Sequence, residues 1–157
     1  MSAAAPLLSG EYARMSQLVS YCHGVLVALD DAVLGLESSR FSGRYTFNAA
    51  ERAYLTHLVR TDDMADALNA VDSIESAEDY CDRAAIVATG VVTIIDALER
   101  ACARQWSPDA DYWTDSEGEP HRFPIFSRSQ QQTIRGWFPV NATSIALELS
   151  ELTTVIA

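Results

Sequence analysis

Residues 76–105 read SAEDYCDRAAIVATGVVTIIDALERACARQ. Tyr80, Ala84, Val87, Val91, Ile94, Leu98 and Ala101 recur in steps of three and four. That is the a/d spacing of a helix with one apolar seam, kept for more than three heptads. The β-branched run Val91–Ile95 also suits a strand. The flanking Asp, Glu, Arg and Ala residues and the 3.5-residue period decide for a helix. Ser76 followed by Asp79 marks its start, and Pro108 is expected to stop it.

A second long helix is predicted upstream, from Ser9 to about Ser38, with Ser9 as its N-cap. Met15, Cys22, Leu29 and Leu36 are spaced by heptads, with Leu18, Val25 and Ala32 interleaved and Val19, Leu26 and Val33 alongside. This stripe is wide enough to be buried in a bundle. Gly24 and Gly35 weaken the helix slightly and are expected to admit a close neighbour. Leu29, Val91, Ile94 and Leu98 are expected to meet in the core.

Shorter elements fill the gap. Residues 40–47 (RFSGRYTF) break the periodicity and form a connector. Asn48 with Glu51 has the form of a capping box, predicting a helix to about Arg60. Thr61, Asp62 and Asp63 signal either another start or a kink, since acidic groups suit the positive end of a helix. Beyond Gln105, residues 107–126 carry five acids, three prolines and four aromatics. A turn at Asp115–Gly118 predicts a small hairpin pairing Tyr112–Thr114 with His121–Ile125. Ser127 with Gln130 starts a short helix that Gly136 ends. In residues 143–157, Ile145, Leu149, Leu152 and Ile156 fit a helix, whereas Ile145, Leu147 and Leu149 also alternate as in a strand.

The predicted fold is therefore mostly all-α. It is an antiparallel helical bundle with two long heptad-patterned helices, over residues 1–106. A C-terminal appendage of loop, short hairpin and helix, residues 107–157, belongs to the same single domain.

The chain has 157 residues and no lysine: 11 arginines face 22 Asp and Glu, for a net charge of −11. About eight lysines are ordinary at this length. The acidic balance opposes binding to nucleic acid or to an anionic membrane, and favours a basic partner if there is one. The N-terminus lacks a basic n-region and a long apolar h-region, so no secretory signal is expected. Charges are expected to interrupt every apolar stretch before 18 residues, leaving no membrane span. A cytoplasmic or virion location follows as an expectation. Cys22, Cys81 and Cys102 lack a CxxC spacing and read as buried, reduced thiols.

Arg52-Ala-Tyr-Leu-Thr-His57 has the R-x4-H spacing and resembles the motif of HEPN ribonucleases. In that family the arginine and histidine converge across a dimer cleft and attack an RNA phosphodiester. The resemblance covers six residues. It departs from the family in Ala53, where a polar residue is usual, and in its early position. The expectation is a solvent-facing pair and no enzyme, with Arg52 and His57 as the catalytic candidates to test.

No cofactor or metal site is expected. Counting an EF-hand from Asp109 puts Trp113 at position 5, Thr114 at 6 and Pro120 at 12, where ligands and glycine are required. Cys22 and His23 are adjacent on a helix and point about 100° apart. The Asn141-Ala-Thr143 sequon carries no meaning without a secretory signal.

Composition and spacing favour a non-catalytic interaction or assembly subunit, such as a viral or phage structural component. A protein partner or self-association into an oligomer is expected, without nucleic acid or membrane. The alternative is an acidic inhibitor, an immunity or anti-defence protein, covering a basic partner. The apolar ends, Met1–Gly10 and Leu152–Ala157, suggest docking. The contact surface is expected within residues 107–157, with the long helices as scaffold. The interface candidates are Arg40, Arg44, Tyr112, Trp113, Phe123, Trp137, Phe138, Leu149, Leu152 and Ile156. Deleting Leu149–Ala157 is expected to abolish association and leave the long helices folded.

Overall fold

The computed structural model describes residues 9–37, 46–105, 112–138 and 142–156. The elements run α1 Ser9–Glu37, α2 Ala49–Val59, α3 Asp62–Asp72, α4 Ala77–Ala103, β1 Tyr112–Thr114, β2 Pro120–Arg122, α5 Arg128–Arg135 and α6 Ala142–Ile156. The protein is mostly helical, and among the described residues its one small sheet is a two-stranded hairpin.

Local capping chemistry sets the helix starts. Asn48 Oδ1 accepts from the Glu51 amide at 2.8 Å, and Glu51 Oε1 accepts from the Asn48 amide at 2.8 Å. Ser127 and Gln130 make the same reciprocal pair at the head of α5. Asp79 holds the amides of Glu75 and Ser76 at 2.7 and 2.9 Å before α4. Each box satisfies amides that a helix leaves without partners. Thr61 Oγ1 accepts from Met64 N at 3.2 Å. The chain therefore breaks at Arg60–Thr61 and restarts, giving two helices rather than one kinked helix.

Helix α4 is the hub: it packs against α1, α2, α3, α5 and α6. Its periodic positions Ala84, Val87, Val91, Ile94, Leu98 and Ala101 are all buried, and Tyr80 is half-buried. Leu29, Val91, Ile94 and Leu98 belong to one contiguous core, as expected. Met15, Leu18, Cys22, Val25 and Leu29 supply the inner side of α1.

The close helix approach lies elsewhere than predicted. A Cβ on Gly24 or Gly35 meets no atom within 4 Å. A Cβ on Gly90 sits 2.8 Å from Ala67 Cβ and 3.0 Å from the Asp63 carbonyl oxygen. Glycine is thus what lets α3 press onto α4.

The hairpin register also differs. Tyr112, Trp113 and Thr114 pair with Arg122, His121 and Pro120. The turn closes tightly, with Asp115 N bonded to Glu119 O at 3.0 Å and Gly118 at φ 84°. Pairing therefore resumes at Pro120 and ends two residues before Pro124. The C-terminal segment is helical, α6, and packs on α4 and α1.

Helix α1 bears on the expected absence of a membrane span. Ala13–Leu36 is long and apolar enough to cross a membrane by length and composition. Within it, however, Cys22, Leu26, Leu29 and Val33 are fully buried in the protein's own core. A core helix passes the same test.

Candidate functional site

The R-x4-H residues lie on α2. Arg52 is half-buried, and its Nε has no hydrogen-bond partner among the described residues. His57 is exposed and lies against the hairpin, its ring centroid 4.8 Å from that of Trp113. Five helical steps separate the two side chains, a rotation of about 140° between their directions. Arg52 takes no part in the ring contacts that engage His57.

Trp113 is the centre of a cluster built by three elements. On its own sheet it faces His121, with centroids 4.8 Å apart and rings inclined by 27°. From α2 come His57 and Tyr54, the latter at 5.3 Å. Phe123 meets Tyr54 edge-on at 5.6 Å, and the Arg104 guanidinium lies 3.6 Å over the Phe123 ring. These are the offset and edge geometries that aromatic quadrupoles favour, with a cation on a ring face. Burial pushes the Tyr54 phenol upward in pKa, and the guanidinia of Arg104 and Arg100 oppose that shift.

His121 Nε2 lies 2.7 Å from Asp115 Oδ2. Asp115 also accepts the amides of Glu117 and Glu119, each at 2.9 Å. The His121 contact and these backbone bonds hold its carboxyl below the ordinary aspartate range. A carboxylate orienting an imidazole is a familiar acid–base device. Here the flat face of that imidazole lies on an indole that is only 7% exposed. The arrangement clamps the hairpin onto α2 and the end of α4.

A second aromatic cluster docks α5. Phe47 packs on Phe126 at 6.0 Å and Trp137 at 6.1 Å. Gln130 Nε2 donates to the Thr46 carbonyl at 2.8 Å and to Glu51 Oε2 at 3.0 Å. The caps of α2 and α5 are thereby joined.

Most predicted interface residues are used inside the protein. Trp113, Phe138 and Leu152 are buried in its own core: the hairpin packs on α2 through Tyr54 and His57, and α5 and α6 pack on α4. Phe123, Trp137 and Leu149 are half-buried against that core. Of the candidates whose side chains are described, Tyr112 alone is exposed, and the Arg122 guanidinium lies 5.9 Å from its ring. Arg40 and Arg44 lie outside the described residues, as do the Ile156 side chain, Pro108, Asp109 and the sequon residue Asn141.

Besides Tyr112, the large apolar side chains exposed among the described residues are Tyr21, Val27 and Leu34 on α1, Ile86 on α4, Ile125, and Leu147 on α6. Val27 and Leu34 are a heptad apart, a signal present in the sequence but overshadowed by the wider inward stripe.

Among the described residues, no three His, Cys, Asp or Glu side chains converge to hold a metal. Cys22 and Cys102 are buried and free. Burial pushes the Cys22 thiol up to about 11 and raises that of Cys102. Neither is a reactive thiolate at neutral pH. The Cys81 side chain lies outside the described ones. No protein-family model, no curated protein and no solved structure matches this chain.

Proposed function

We propose that this protein is a non-catalytic interaction or assembly subunit, of the kind found in viral or phage particles or in cytoplasmic complexes. In this reading α1 and α4 form an antiparallel, heptad-packed pair that serves as scaffold. One observation carries it: α1 buries one side in the core and still exposes large apolar side chains, Tyr21 on one flank and Val27 with Leu34 on the other. A helix apolar on two sides has more sticky surface than its own fold consumes. The test is light scattering coupled to size exclusion, followed by a pull-down from the native source. A strictly monomeric protein that captures no specific partner defeats the reading.

A second reading rests on α3. Asp62, Asp63, Asp66 and Asp72, with Glu75 just beyond, are exposed, and residues 61–75 contain no basic residue. That face suits an acidic inhibitor covering a basic partner. Salt separates the two readings. Binding through α3 weakens steeply as ionic strength rises, whereas apolar association does not.

A further inference from the structure

We draw no further inference here: the strongest candidate, the exposed acidic face of α3 with Asp62, Asp63, Asp66 and Asp72, is a cluster of carboxylates that already belongs to the second reading above, and nothing in the structure shows what covers it.

Discussion

The His57 imidazole rests on the Trp113 indole with ring centroids 4.8 Å apart, joining α2 to the hairpin. This contact gives the histidine of the R-x4-H sequence a packing role. His57→Ala should therefore lower stability by about 0.5–1.5 kcal/mol, the worth of an aromatic pair. Denaturant unfolding measures that loss. In a labelled-RNA assay, wild type and His57→Ala should behave alike. RNA cleavage by wild type that disappears in the variant would return the site to catalysis.

Gly90 and Gly24 make an opposed pair. Gly90→Ala forces a methyl against Ala67 and the Asp63 backbone. Overpacking of this kind costs about 1–3 kcal/mol. Gly24→Ala places its methyl in open space and should gain about 0.5–1 kcal/mol of helix stability. Thermal melts of both variants test the contrast. Equal shifts would mean that α3 does not press on α4 at Gly90.

Asp115 supplies the pH prediction. Its carboxyl is held low by His121 and by the amides of Glu119 and Glu117. A depressed aspartate contributes stability above its unfolded value, about 3.9. That contribution is lost as pH falls through the lower folded value. Hairpin amides of Glu117 and Glu119, followed by NMR, should hold their shifts down to about pH 4 and move below it. In Asp115→Asn the transition should vanish. A transition that persists in the variant would assign it to another carboxylate, such as Asp79, which two backbone amides also hold low.

What the sequence shows depends on how local the physics is. The capping pairs Asn48–Glu51 and Ser127–Gln130 are three residues apart and were readable outright. So were the inward stripes of α1 and α4, because burial follows helical period. The sequence points to His121–Ile125 as the second strand, since nothing local shows that Asp115 closes the turn so tightly that pairing resumes at Pro120. The fate of the aromatics was not readable. Trp113 and Phe138 carry the composition of a binding surface, and only tertiary packing, for Trp113 against Tyr54 and His57 of α2, puts them inside. The mislaid close approach has the same cause. Gly24, Gly35 and Gly90 look alike in sequence, and only the path of α3 singles out Gly90.

The C-terminal helix yields the last prediction. From sequence alone its last residues, Leu149–Ala157, look removable without harm to the long helices. Leu152 is instead fully buried, Ile145 is buried, and α6 packs along α4 and α1. Deleting Leu149–Ala157 strips Leu152 from that core, so the truncated chain should lose cooperative unfolding as well as any partner. Leu152→Ala alone should cost about 2–5 kcal/mol, as should Leu98→Ala in α4, since each leaves a cavity. A loss below about 0.5 kcal/mol at either position would place that residue on the surface. The exposed side of α6 is tested separately with Leu147→Glu, at a residue 60% exposed. That variant should unfold like wild type, because a surface substitution away from caps and cores stays within about 0.5 kcal/mol. A Leu147→Glu protein as unstable as Leu152→Ala would show that α6 is rotated on α4 from the position described.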